Sequence, residues 1–244
     1  MSLVMDGSAE PLSGHVSATN SPTVFVVDDH ELLSATLVLA LCAKGFDAHH
    51  CRPAAPGEVP AALRGAEPGL VLLDLDLGRS ARGEAIDGAE LVKPLRALGW
   101  SVLVVTGCAD LNRVAAAVAA GASGWVDKSA PFDKLVRTAA FAARGNSVLS
   151  PVERASLVAR YREGRAERQA AMVRLDRLSS REWEVLGRLS TGAQAAQIAE
   201  DFVTSLATVR AQIRSILAKL EVSSQLAAVA LANRFAPDKV ARRA

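Results

Sequence analysis

Three carboxylates, one hydroxyl and one amine close four short apolar runs in the first half of this chain. Val24-Phe25-Val26-Val27 runs into Asp28-Asp29, Leu70-Val71-Leu72-Leu73 into Asp74, Val102-Leu103-Val104-Val105 into Thr106, and Gly124-Trp125-Val126-Asp127 into Lys128. Gathered at one point, these groups suit phosphoryl transfer. Three close carboxylates repel unless a cation joins them or a proton neutralises one. Mg²⁺ fits, because it accepts one or two protein carboxylates, keeps several waters and takes its remaining oxygens from a phosphoryl group. Lys128 then supplies a fixed positive charge and Thr106 a hydroxyl, both for phosphoryl oxygens. A central carboxylate such as Asp74 can act as nucleophile and form an acyl phosphate. Any one of these residues alone would pass as an ordinary solvated loop residue; their order and spacing carry the inference.

Apolar runs of this length that alternate with helical patterns read as buried parallel strands, and in open parallel sheets the ligand site lies beyond the carboxyl ends of the strands. The helices between them are predicted over 31–44, 88–98, 111–120 and 131–144, with a weak one near 59–64 and a short second strand over 46–50. The result is five βα units, an α/β fold with a doubly wound five-stranded parallel sheet.

The second half has a different character. Net charge is −2 over residues 1–22, −2 over 23–145 and +6 over 146–244, so an acidic module is joined to a basic one that can meet an anionic partner. Ser150-Pro151-Val152-Glu153 is a capping box with Pro at the first helical position. It opens a long linker helix, with or without a break, whose apolar stripe would hold Leu157, Val158, Tyr161, Met172, Val173 and Leu175. Four helices are predicted beyond it, over 180–190, 193–201, 205–220 and 224–235. A short helix, a turn and a second helix is the arrangement that enters a DNA groove. In the third of these helices Ser205 is the cap and Val209, Ile213, Ile216 and Leu217 form the buried face. Arg210, Ala211 and Arg214 lie opposite, where they can face the major groove.

The 244 residues, half of them hydrophobic and 4% aromatic, are enough for two modest aliphatic cores. No apolar run approaches the roughly 18 residues of a membrane span. Residues 1–22, rich in Ser, Gly and Pro, read as a disordered tail without the basic start and apolar stretch of a signal peptide. Cys42, Cys51 and Cys108 lack metal-ligand spacing and fit reduced thiols in a cytoplasmic protein.

Across residues 23–145 the stretches VFVVDDHELL, LVLLDLDLG, VLVVTG and GWVDKSAP resemble the receiver domain of bacterial two-component response regulators, with its flavodoxin-like fold. The resemblance implies that Asp74 is the phosphoacceptor for a sensor histidine kinase and that Asp28, Asp29, Asp74 and the backbone carbonyl of Asp76 hold Mg²⁺. It places Thr106 and Lys128 on the phosphoryl group and Trp125 at the aromatic switch position. The segment from Asp74 to Gly88 is longer than the family's, with Gly78 where a Pro is common and Arg79 and Arg82 inside it. A solvated surface loop is expected there, and altered phosphorylation kinetics is the functional alternative.

Residues 176–236 resemble the LuxR-type helix-turn-helix that ends NarL/FixJ regulators, through Leu178, Arg181-Glu182, Glu184-Val185-Leu186, Gly192, Ile198-Ala199, Ser205, Thr208-Val209-Arg210, Ile216 and Lys219-Leu220. By that resemblance Arg210, Ala211 and Arg214 read base edges of double-stranded DNA, and Lys219, Arg181 and Thr208 meet phosphates. Departures from the pattern include Leu206, Ala207, Ala196, Gln212, Thr204 and Glu221, and they point to weaker nonspecific binding.

The domains expected are a tail over 1–22, a receiver over 23–145, a helical linker over 146–177 and a DNA-binding domain over 178–244. The whole would be a transcription regulator, not an enzyme, that dimerises when phosphorylated and has no membrane partner. One alternative is a receiver that controls DNA binding without phosphate. Another is a haloacid-dehalogenase-type phosphatase built on Asp74-Leu75-Asp76.

Overall fold

The computed structural model describes residues 21–243, apart from 54, 56, 81–82 and 108–109. The expected N-terminal tail, Arg82 and Cys108 therefore lie wholly or almost wholly outside the described residues. Two compact units meet between Leu157 and Val158.

The first unit is built on a parallel sheet of five strands: β1 (Thr23–Val27), β2 (Asp47–Cys51), β3 (Leu70–Leu73), β6 (Ser101–Thr106) and β7 (Gly124–Asp127), in the order β2-β1-β3-β6-β7. Chain order reverses between β1 and β3, which makes the crevice beyond their ends the switch point. Every residue of β3 is buried, as an unbroken Leu-Val-Leu-Leu run requires of a central strand covered on both faces. The flanking helices are α1 (Glu31–Cys42), α2 (Glu58–Ala62), α3 (Gly88–Ala97), α4 (Leu111–Ala119) and α5 (Phe132–Ala143). Leu37 and Leu41 of α1 and Leu135, Val136 and Ala139 of α5 pack with Val24, Leu72 and Leu103 of the sheet in one core.

One expectation fails here. The segment after Asp74 is an antiparallel hairpin, β4 (Asp76–Arg79) with β5 (Ala85–Asp87), and Leu77 and Ile86 are buried beneath it at 2% and 1% exposure. A surface loop was expected because Asp76-Leu77-Gly78-Arg79 shows one apolar residue among polar ones. That is strand alternation too short to recognise.

A single helix, α6 (Pro151–Leu175), runs without a break from the Ser150–Glu153 capping box, in which Ser150 N–H donates to Glu153 Oε2 at 2.8 Å. Val173 does not join its apolar stripe: it is 48% exposed, and Ala171 and Leu175 are the residues buried at this end. The second unit adds α7 (Ser180–Ser190), α8 (Ala195–Asp201), α9 (Leu206–Leu220), α10 (Gln225–Phe235) and α11 (Pro237–Ala241). The last was not anticipated; its Val240 completes a core with Trp183, Leu186, Ile198, Val209, Ile213, Ile216 and Phe235. No single described helix is long and apolar enough to cross a membrane.

Candidate functional site

At the end of β1 the Asp28 side chain turns inward, 3% exposed, and its Oδ1 accepts the His30 N–H at 2.8 Å. Asp74 leaves β3 still hydrogen-bonded to the sheet, its N–H donating to the Val27 carbonyl at 2.9 Å, and is 2% exposed. Lys128 leaves β7 in the same way, its N–H donating to the Thr106 carbonyl at 3.0 Å. These backbone bonds fix where the three side chains start, and their ends meet. Lys128 Nζ lies 2.7 Å from Asp28 Oδ2 and 2.6 Å from Asp74 Oδ2. Thr106, 1% exposed, ends β6 in register with Asp127, and Trp125 is half-buried on β7.

Burial raises the Asp74 carboxyl above the ordinary range, against the pull of Lys128 and the Asp76 N–H. Burial acts on Lys128 in the opposite sense, but its hydrogen bonds to Asp28 and Asp74 outweigh it and hold the ammonium protonated. Asp74 Oδ1 is buried and has no hydrogen-bond partner among the described residues. It faces a cluster in which ligand atoms of Asp28, Asp29, His30 and Asp74 all lie within 4.8 Å of one another. A buried carboxylate oxygen without a partner, in an acidic cluster, fits a hard divalent cation.

Sequence reasoning missed His30. Its Nδ1 lies 2.8 Å from Asp29 Oδ1 and 3.4 Å from Lys128 Nζ. The signal was the stretch Asp28-Asp29-His30, which places an imidazole beside the acid pair. The hairpin also reaches this place: Gly78, at φ 75°, lies so near Asp29 that a Cβ there would stand 3.1 Å from its Oδ2. Asp76, whose carbonyl was expected at the metal, opens β4 with its side chain exposed.

The hairpin is tied to α4. Arg113 donates to the Leu75 carbonyl at 2.5 Å and to Asp87 Oδ1 at 2.8 Å, and Asp87 Oδ1 also caps α3 through the Ala89 N–H at 3.0 Å.

In the second unit Ser205 caps α9, its Oγ accepting the Thr208 N–H at 3.0 Å. Val209, Ile213, Ile216 and Leu220 are buried, and Ala207, Arg210, Ala211 and Arg214 share the exposed face. Neither Arg210 nor Arg214 has an ion pair among the described residues. Two other expected phosphate contacts are engaged within the unit. Lys219 Nζ lies 2.7 Å from Glu182 Oε2, and Arg181 stacks 3.8 Å over the Phe202 ring while pairing with Glu184 at 2.7 Å. Glu182, 6% exposed, also accepts from Ser215 at 2.7 Å and from the Ser179 N–H at 2.7 Å. Burial would raise its carboxyl, but these bonds, led by Lys219, outweigh it and lower it to about 2.

Helices α8 and α9 both end in a Schellman motif. Val203 N–H donates to Glu200 O and Thr204 N–H to Ala199 O; Glu221 N–H donates to Ala218 O and Val222 N–H to Leu217 O. The left-handed residue is Val203 (φ 49°) in one and Glu221 (φ 58°) in the other, where glycine is usual.

Residues 24–140 match the family described as response regulator receiver domain, and residues 176–232 match bacterial regulatory proteins of the luxR family. The DNA-binding transcriptional activator DevR/DosR of Mycobacterium tuberculosis is 31% identical over 214 residues, covering 87% of this chain and 94% of that protein. The chain belongs to the NarL/FixJ family of two-component response regulators. It is also similar to the nitrate/nitrite response regulator protein homolog of Haemophilus influenzae, 29% identical over 85% of this chain and 94% of that one. Among solved structures, the response regulator StyR is 25% identical over 88% of this chain and 100% of that one, with a TM-score of 0.43. As a member of this family the protein regulates transcription in dependence on phosphorylation. The acidic cluster is the kind of place at which receiver domains bind Mg²⁺.

Proposed function

We propose that Asp74 accepts a phosphoryl group from the phosphohistidine of a sensor kinase and that the charge so added controls DNA binding by the second unit. The observation that carries this reading is the Asp74 carboxylate, with one oxygen on Lys128 and the other buried without a partner. One of these two oxygens is the nucleophile. It bonds to phosphorus as the P–N bond of the donor breaks, and the imidazole leaves with a proton from solvent. Asp28, Asp29, Asp74 and the backbone carbonyl of Asp76 would hold Mg²⁺, which neutralises phosphoryl charge when bound. Lys128 is already placed to follow the new charge, and the Thr106 hydroxyl, at the end of the neighbouring strand, supplies a further donor. Withdrawal of Thr106 toward the phosphoryl group would let Trp125 repack, which biases the receiver surface toward a homodimer.

In the DNA-binding domain Arg210, Ala211 and Arg214 read base edges, with Thr208 at the phosphates. The internal bonds of Arg181 and Lys219 favour a positioning role for those two. The tail (1–22), receiver (23–145), linker (146–177) and DNA-binding domain (178–244) would operate in the cytoplasm, with no membrane partner.

The test is Mg²⁺-dependent phosphate uptake from acetyl phosphate or phosphoramidate, read by intact mass on the native chain and on Asp74→Asn. One phosphoryl group gained, and lost in the variant, supports the reading. Uptake by Asp74→Asn would move the acceptor elsewhere. Steady release of phosphate from small phosphomonoesters would revive the phosphatase alternative.

A further inference from the structure

Val203 is the second unit's most anomalous residue. It is β-branched, stands at φ 49° and is 93% exposed. Left-handed backbone is unfavourable for an L-residue and worst for a β-branched one, so such residues persist where something over-determines them. Glu221, in the same position of the motif that ends α9, has a visible compensation inside the unit: its carboxylate lies 3.1 Å from Arg177. Val203, 93% exposed, has no comparable contact among the described residues, and glycine would serve its turn better. Its side chain is therefore explained from outside the unit or not at all.

The position indicates what lies outside. Val203 sits in the turn that leads into α9, two residues before the Ser205 cap, and a recognition helix presents its N-terminal residues to base edges. The next outward positions are Ala207, Arg210, Ala211 and Arg214, all exposed. Ala207 thus continues the arginine-bearing face toward the end that enters the groove, and Val203 stands exposed in the turn just before it. In the major groove each base pair shows a distinct pattern, and the one apolar group in it is the thymine C5-methyl.

We infer that Val203 and Ala207 are specificity-determining residues that contact thymine methyl groups beside the bases read by Arg210 and Arg214. The inference rests on the DNA-binding reading above and deepens it. It also changes the meaning of the departure from the family pattern at 207. An apolar contact replaces a polar one there, so part of the binding free energy resists added salt.

The experiment starts with selection of duplexes from a randomised library by the full-length chain after treatment with acetyl phosphate and Mg²⁺. Affinity for the enriched duplex is then measured with each thymine replaced in turn by deoxyuridine, which removes only the methyl. The expected result is a loss of about fourfold at one or more thymines flanking a guanine, the fold-change of one buried methyl. The Val203→Gly variant, whose backbone suits its turn better than the native one, should lose that penalty; Ala207→Gly is the second variant. Deoxyuridine tolerated at every thymine, or a penalty unchanged in both variants, overturns the inference while DNA binding stands. Failure to enrich any duplex removes the DNA-binding reading and this inference with it.

Discussion

The Lys128 ammonium lies 2.6 Å from the Asp74 carboxylate and 2.7 Å from that of Asp28, so one cation holds two buried acids together. Without it the acids face each other in a site that already raises the Asp74 carboxyl by burial. Lys128→Ala should slow phosphorylation by acetyl phosphate by about a hundredfold, the usual loss on removing one preorganised donor. Its pH–rate profile should move to higher pH, because loss of the Lys128 charge raises the Asp74 carboxyl further. Stopped samples analysed by intact mass give both; an unchanged rate would show that Lys128 is structural.

Removal of divalent cations with EDTA should abolish uptake from acetyl phosphate in the native chain, and added Mg²⁺ should restore it. Equal uptake with and without the chelator would mean that the acids at 28 and 29 do not act through a metal.

Glu182 sets an acid limit on the second unit. Its carboxyl falls from near 4.5 to about 2 on folding, so its contribution is complete above about pH 4.5 and is lost as pH falls toward 2. The shift corresponds to at most about 3 kcal/mol. Glu182→Ala should destabilise the unit by about 2–3 kcal/mol at neutral pH, since it removes a cap and leaves Lys219 and Ser215 without their acceptor. It should also flatten the stability curve between pH 4.5 and 2. Urea melts at several pH values test both; parallel curves for the two proteins would assign the acid limit to other groups.

The two left-handed residues should respond unequally to glycine. Val203→Gly loses almost no buried surface and relieves backbone strain, a gain of about 1 kcal/mol. Glu221→Gly relieves similar strain but gives up the Arg177 pair, which at its exposure is worth roughly 0–1 kcal/mol. Thermal melts should therefore rank Val203→Gly above Glu221→Gly and both at or above the native chain. A fall in stability for Val203→Gly would mean that its side chain packs within the unit.

Much of this could be read from residue types alone, for a physical reason. Leu70–Leu73 and Val102–Val105 are buried throughout, and Val24–Val27 at every residue but the half-buried Phe25, so each appears as an unbroken apolar run whose polar terminator is conspicuous. The parallel sheet and the convergence of Asp28, Asp74 and Lys128 follow from that patterning, and the exposed face of α9 follows from its 3.6-residue period. The hairpin was illegible because its buried residues, Leu77 and Ile86, are isolated apolar residues in polar surroundings. The contacts of His30 with Asp28 and Asp29 are local and were legible in the stretch Asp28-Asp29-His30; its approach to Lys128, 98 residues on, was not, because that contact is tertiary. The internal bonds of Lys219 and Arg181 escaped notice for the same reason: their partners come from the capping box of α7 and from the end of α8.

The hairpin begins and ends at the same place. Asp76 pairs with Asp87, the Gly88 N–H reaches the Leu75 carbonyl at 2.9 Å, and a Cβ at Gly88 would stand 1.9 Å from the Asp74 carbonyl oxygen. The chain can thus leave β3, travel outward and return without displacing Asp74, provided the returning residue is glycine. The position of Asp74 does not depend on the length of the excursion beside it, although Gly78 of the hairpin lies against Asp29. New surface could accumulate at this point, one pair of residues at a time, while the phosphorylation chemistry stayed where it was.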